Sequence, residues 1–201
     1  MSVFWNDYEY RTVQVNGQRF IGPPPEIQKE PSYDWELFVK NLPRNLFENE
    51  LIPLFSSAGL VYQIRLLMCF SGQNRGIAYV RFTNEEDFVL ALRMFHQLRL
   101  GTNFALYACR SMNMRKLVML NIDTRVTSES ARRFIEAISG GSCVHMGYRK
   151  FHQDKKYVII QFKCHYETAL ARRKLMVILP FFGDSCYLKW YNREKRNKAT
   201  G

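Results

Sequence analysis

Two short segments hold the residues with the most chemistry to offer. Leu37-Phe38-Val39-Lys40-Asn41-Leu42 and Arg75-Gly76-Ile77-Ala78-Tyr79-Val80-Arg81-Phe82 both alternate apolar and functional side chains with a period of two. In extended chains that period sends Leu37, Val39, Ala78 and Val80 to one face, and Phe38, Lys40, Ile77, Tyr79 and Arg81 to the other. Two rings on an exposed strand face, with cations beside them, suit flat π systems strung on a negative backbone. A base stacked on such a ring contributes about 1–3 kcal/mol. Arg75, at the mouth of its strand, can pair a phosphate, and Arg65 and Tyr107 belong to the same face of neighbouring strands. Either ring alone reads more readily as a core aromatic. Side by side on adjacent strands, they read as an outward platform.

The elements that must hold this platform come from periodicity and punctuation. Tyr10–Ile21 alternates around Asn16-Gly17, the pair that supplies the positive φ angles of a tight hairpin turn. Gly22-Pro23-Pro24-Pro25 ends that hairpin, which must pack on the adjoining domain because a lone hairpin is marginal in water. Strands are predicted at Glu36–Leu42, Val61–Met68, Gly76–Phe82 and Asn103–Arg110. On Val61–Met68, Tyr62, Ile64, Leu66 and Met68 share one side. Helices are predicted over Leu46–Ser57, with Asn45 and Glu48 at capping-box spacing, and from Thr83 and Glu86 onward. The order βαββαβ is a ferredoxin-like split βαβ unit.

A second unit repeats the pattern about 80 residues later, with strands at Lys116–Ile122, Ser142–Arg149, Lys156–Lys163 and Ser185–Tyr191, and helices at Ser128–Ser139 and His165–Met176. The fold class is therefore α+β: two tandem βαββαβ domains, the first extended by an N-terminal β-hairpin. Residues 1–34 form the extension with the hairpin at about 10–21, residues 35–111 the first domain, 116–192 the second, and 193–201 a basic tail. In the second unit the platform is degraded. Val118 and Ile159 stand where Phe38 and Tyr79 stand in the first, and only Tyr157 keeps an outward ring. Arg132, Arg133, Lys155 and Lys156 could track phosphates and add salt-dependent affinity, or could simply be a solvated face. A further reading has Val118, Ile159, Leu188 and Trp190 as an apolar outer sheet for a protein partner.

Charge supports a polyanionic partner, and its distribution is uneven. The 201 residues carry a net charge of +11. Residues 1–114 hold 11 Lys and Arg against 11 Asp and Glu, while residues 115–201 hold 18 against 7. Five widely spaced cysteines without a C-x-x-C pair argue against a disulfide framework or zinc site and for a reducing compartment. Neither metal nor cofactor is expected, and no apolar run reaches the ~20 residues of a membrane span. No P-loop, nucleophile elbow or paired metal-ligating histidines point to an enzyme; Cys164 and His165 are adjacent, so their side chains diverge.

The two platform segments fit the RNP2 and RNP1 motifs of the RNA-recognition-motif (RRM) family. The chain resembles one subfamily further, through Val15–Arg19, Gly22–Pro25, Phe47-Glu48-Asn49-Glu50-Leu51-Ile52-Pro53-Leu54-Phe55, Ile64-Arg65-Leu66 and Phe70–Gly76. That subfamily contains the apobec complementation factor, hnRNP Q and R, and the germline protein Dead end. The resemblance covers Tyr10 to about Asp123 well and the rest in outline. It implies an N-terminal hairpin extending the first RRM, and base contacts at Phe38, Tyr79, Arg75 and Arg65. Position three of RNP1, usually an aromatic that touches sugars, is Ile77 here. The implied function is single-stranded RNA binding, with U/A-rich mRNA 3′ untranslated regions as targets. The chain would recruit a protein effector of translational repression or mRNA decay, in the cytoplasm and also the nucleus. The alternative is a protein-interaction scaffold for which RNA is secondary.

Overall fold

The computed structural model describes residues 2–100, 104–141, 143–151 and 155–191. The basic tail over 193–201 and Asn103 lie outside them. The chain divides into two compact units, Met1–Met112 and Asn113–Gly201. Among the described residues, no helix is long and apolar enough to cross a membrane.

In the first unit the N-terminal segment forms three strands: β1 (Ser2–Trp5), β2 (Tyr8–Val15) and β3 (Gln18–Ile21). A 3₁₀ turn at Tyr33–Trp35 leads into β4 (Glu36–Lys40), α1 (Glu48–Ser56), β5 (Val61–Met68), β6 (Asn74–Phe82) and α2 (Glu85–Phe95). A small ribbon of β7 (Arg99–Leu100) and β8 (Phe104–Ala105) precedes β9 (Tyr107–Arg110). Seven strands make one sheet in the order β1-β2-β3-β5-β6-β4-β9. The hairpin therefore does more than pack on the domain; β3 pairs antiparallel with β5 and widens the sheet.

Both helices cover one face of that sheet. Leu37, Val39, Ile64, Leu66, Ala78 and Val80 meet Leu51, Phe55, Phe88, Ala91 and Phe95 in a single buried cluster, which also takes in Tyr10 and Ile21 from the hairpin. The helix starts differ from the sequence expectation. Phe47 caps α1, and the Glu50 carboxylate accepts its backbone N–H at 3.1 Å. Glu48 is instead buried and paired with Arg19 of β3 at 3.2 Å. Asn84 rather than Thr83 caps α2, its side-chain oxygen accepting from the Asp87 N–H at 2.8 Å.

The second unit contains β10 (Lys116–Asp123), α3 (Ser128–Ser139), β11 (Cys143–Phe151), β12 (Lys155–Phe162), α4 (His165–Ile178), a 3₁₀ turn at Leu179–Phe182 and β13 (Tyr187–Trp190). Its sheet order, β11-β12-β10-β13, matches β5-β6-β4-β9 of the first unit. A shared detail marks the duplication. Asn41, just after β4, and Asn121, at the register shift near the end of β10, have φ of 63° and 59°. Both donate from the side-chain amide to a carbonyl ahead of the last strand, Ala105 and Ser185 respectively, each at 3.3 Å.

The hairpin is fastened by Tyr10, whose hydroxyl donates to the Val61 carbonyl at 2.8 Å inside the core. Tyr10→Phe leaves that carbonyl without its partner, a loss of about 1–3 kcal/mol for a buried acceptor. Urea unfolding of the first unit is expected to show this loss; an unchanged midpoint would mean that the hairpin contributes nothing through this bond.

Candidate nucleic-acid interface

Strand register aligns the outward side chains of the first sheet. Cys109 lies opposite Phe38, Phe38 opposite Tyr79, Tyr79 opposite Arg65, Arg65 opposite Phe20, and Phe20 opposite Val13. One row thus crosses six strands on the face away from the helices. A second row runs from Tyr107 through Lys40 to Ile77. None of these side chains joins the buried cluster. Phe38, Ile77 and Tyr79 are half-buried, Lys40 and Arg75 exposed, and Tyr107 is 41% exposed.

The two rings form a platform in the physical sense. Phe38 and Tyr79 have centroids 5.2 Å apart and planes tilted by 47°. The Arg65 guanidinium lies 4.4 Å from the Tyr79 centroid, and the Lys40 ammonium 5.9 Å from Phe38 and 4.6 Å from Tyr107. Burial pushes the Tyr79 phenol above its ordinary pKa, with Arg65 opposing, so the ring stays neutral at physiological pH.

The cations expected to attract phosphate divide into two classes. Arg65 is buried and pairs with Glu36 at 2.9 Å. Arg81 is 4% exposed, pairs with Glu30 at 3.3 Å, and is sandwiched between the rings of Tyr33 at 4.0 Å and Tyr62 at 4.5 Å. Both charges are therefore compensated inside the protein. Lys40 and Arg75 remain at the surface and, with Arg44, line a cavity of about 390 Å³ at the corner where β4 ends and β6 begins. Gly76 shapes this corner with φ +71°, and a Cβ there would stand 3.0 Å from the Leu42 carbonyl oxygen.

Several residues here were not foreseen. Phe20 and Val13 reach the face because β3 pairs with β5; the alternation of Arg19-Phe20-Ile21 around a buried Ile21 is the sequence signal for that phase. Tyr62 does not share the core side with Ile64. A register shift between Val61 and Gln63 turns it toward Arg81. Glu30 and Tyr33 come from the segment after the hairpin, whose pairing with a residue some fifty positions on carries no local signal.

The second unit presents a different face. Val118 lies opposite Ile159 on one side and Lys189 on the other, and Tyr157 opposite Arg149. Leu188 and Trp190 have the opposite phase: Leu188 is buried in the core, and Trp190 packs against that core and stacks on His165 at 4.9 Å. The apolar outer sheet expected from those residues thus reduces to Val118 and Ile159. Lys156 reaches the loop after β10, donating to the Thr124 and Val126 carbonyls at 2.9 and 3.1 Å. Arg132 and Arg133 sit on α3, paired with Glu136 and Glu129. The side chain of Lys155 lies outside the described residues. The corner cavity of about 450 Å³ that corresponds to the basic one is lined by Asp123, Asp184 and Arg125. Hydrogen bonds from Arg125 hold the Asp123 carboxyl down at about 2, so it is charged at any physiological pH.

Arg81 sits in a slot fitted to a planar cation. Arg81→Lys keeps the charge but loses the stacked plane and the fork of donors. The first unit is expected to lose about 1–2 kcal/mol, read by thermal melting; a melt identical to wild type would show that the sandwich is incidental.

A family model described as "RNA recognition motif" matches residues 37–105. Probable RNA-binding protein 46 of Xenopus tropicalis is 34% identical over 193 residues, covering 92% of this chain and 36% of that protein. RNA-binding protein 47 of Danio rerio is 32% identical over 171 residues, 83% of this chain and 28% of that protein. Dead end protein homolog 1 of Xenopus laevis is 27% identical over 190 residues, 92% of this chain and 51% of that protein. The chain thus spans between 28% and 51% of the length of these relatives. Among solved structures, the Sex-lethal RNA recognition domains 1 and 2 of Drosophila melanogaster align over 78% of this chain and 99% of that one, at 18% identity and a TM-score of 0.36. Residues 37–105 form an RNA recognition motif, in a chain homologous to RNA-binding proteins 46 and 47 and to Dead end protein homolog 1.

Proposed function

We propose that this chain binds single-stranded RNA across the outer face of its first sheet and thereby regulates mRNA after transcription. The observation that carries the reading is the Phe38–Tyr79 pair, two adjacent outward rings at 5.2 Å beside a corner of uncompensated cations. Consecutive bases stack on the rings, and Lys40, Arg44 and Arg75 meet the phosphates. Ile77 offers a sugar only an apolar contact. Phe20 and Val13 continue the row beyond Arg65, so a bound strand can run onto the hairpin. The RRM match and the RNA-binding names of the relatives support the same chemistry.

In this proposal the chain acts in the cytoplasm, and also in the nucleus, on U/A-rich stretches of 3′ untranslated regions, where it recruits a protein effector of translational repression or decay. The germline association of the Dead end resemblance supports a role there. The second unit is a poor base reader, because Val118 and Ile159 stack nothing and its corner carries two carboxylates. Its task is to hold the partner.

The test is RNA binding by fluorescence anisotropy across a salt series, using a short U/A-rich oligonucleotide. Phe38→Ala/Tyr79→Ala is expected to weaken binding at least thirtyfold, about 2 kcal/mol, at every salt concentration. Arg75→Ala is expected to lower the salt slope by about 1. Unchanged affinity in the double variant would sink the stacking reading and leave the scaffold alternative.

A further inference from the structure

Among the described residues, the most exposed apolar side chains of the second unit lie on its helices, not on its sheet. Phe134 of α3, Val177 of α4 and Phe181 of the following 3₁₀ turn are 48, 78 and 72% exposed. Phe134 and Phe181 stack with centroids 6.2 Å apart and planes at 25°, and Phe134 also meets the edge of the buried Phe182 at 6.3 Å. Val177 lies near the C-terminal end of α4 and Phe181 in the 3₁₀ turn that directly follows it, and Ile138 follows Phe134 by one turn on α3. Large rings exposed on neighbouring elements are the kind of surface that anchors a protein partner.

Charge selects among occupants. Arg173 is one turn before Val177 and Lys174 three residues before it; both are exposed and have no acidic partner among the described residues. On α3 the carboxylates of Glu129 and Glu136 are already taken by Arg133 and Arg132. Beyond Phe181, Asp123 is paired with Arg125, and Asp184 sets the opposite polarity at that end. Two copies meeting through this face would set Arg173 and Lys174 of one against the same residues of the other, which is disfavoured. We infer that this helical face docks an amphipathic acidic segment of another protein. Its apolar side chains seat on Phe134, Val177 and Phe181, and its carboxylates lie over Arg173 and Lys174. The inference rests on the recruitment part of the proposed function and is independent of base stacking.

The test selects binders to the full chain from displayed random peptides of about 16 residues, long enough for an isolated helix. Enriched peptides are expected to space Leu, Phe or Trp at i, i+3/i+4 and i+7 with Asp and Glu between them. Their affinity should fall about tenfold or more in Val177→Glu, whose site is solvent-exposed, and should lose its salt dependence in Arg173→Glu/Lys174→Glu. The charge pair keeps the test open if Val177→Glu fails to fold. RNA affinity is unchanged in all of these. No enrichment, enrichment of basic peptides, or peptides that bind both variants as well as wild type would overturn the proposal. So would sedimentation showing that the chain dimerises through this face. A Phe38→Ala/Tyr79→Ala chain that still binds both RNA and peptide would sink only the stacking mechanism, whereas RNA binding without peptide binding would sink only this proposal.

Discussion

The pairing of β3 with β5 in fixed register is what the rest of the first unit depends on. Phe20 stands opposite Arg65 and Ile21 opposite Ile64, so one residue of slip would bury Phe20 and expose Ile21. Three contacts hold the register. The Met68 N–H donates to the Gly17 carbonyl at 2.9 Å, and the Gln63 side-chain amide donates to the Gly22 carbonyl at 3.3 Å. Tyr10 locks the other side through Val61. Gly22 is required where it is, since its φ is +82° and a Cβ would sit 2.7 Å from the Tyr62 carbonyl oxygen. With that pairing set, the outward row continues from the rings onto the hairpin.

Charge placement then decides what the face can do. A domain without net charge can attract a polyanion only if its cations and carboxylates are sorted in space. Here Glu36 and Glu30 absorb Arg65 and Arg81, which become supports for Tyr79 and for the edge of the sheet. Lys40, Arg44 and Arg75 are left together at one corner. The second unit inverts this arrangement: its chain segment carries the whole excess of positive charge, yet the matching corner holds two carboxylates. Gross charge and local charge point in opposite directions in the two units, and local charge governs contacts shorter than a Debye length of about 8–10 Å.

The βαββαβ order, the duplication, and the adjacency of Phe38 and Tyr79 were legible because each rests on a period of two or 3.6 and on local punctuation. The hairpin was legible from Asn16-Gly17, but that it extends the first domain came only from the family resemblance, since strand partners beyond a turn leave no local mark. The shift at Tyr62 was hidden for the same reason: one extra residue in β5 inverts a side-chain phase that simple alternation assigns to the core. The ion pairs of Arg65 and Arg81 left no local mark, because their carboxylate partners are 29 and 51 residues away. Leu188 and Trp190 went to the wrong face through an error of one residue in the phase of a short last strand. The apolar helical surface was overlooked because Phe134 and Phe181 meet only in space.

Amide shift mapping on the full chain, with a short U/A-rich RNA added stepwise, tests the central claim most directly. The largest perturbations are expected to fall on Phe38, Lys40, Arg75, Ile77 and Tyr79, to extend to Phe20 across Arg65, and to leave Val118 and Ile159 of the second sheet in place. Perturbations centred on α3 and α4, or on the second sheet with Phe38 and Tyr79 silent, would contradict base stacking on the first sheet.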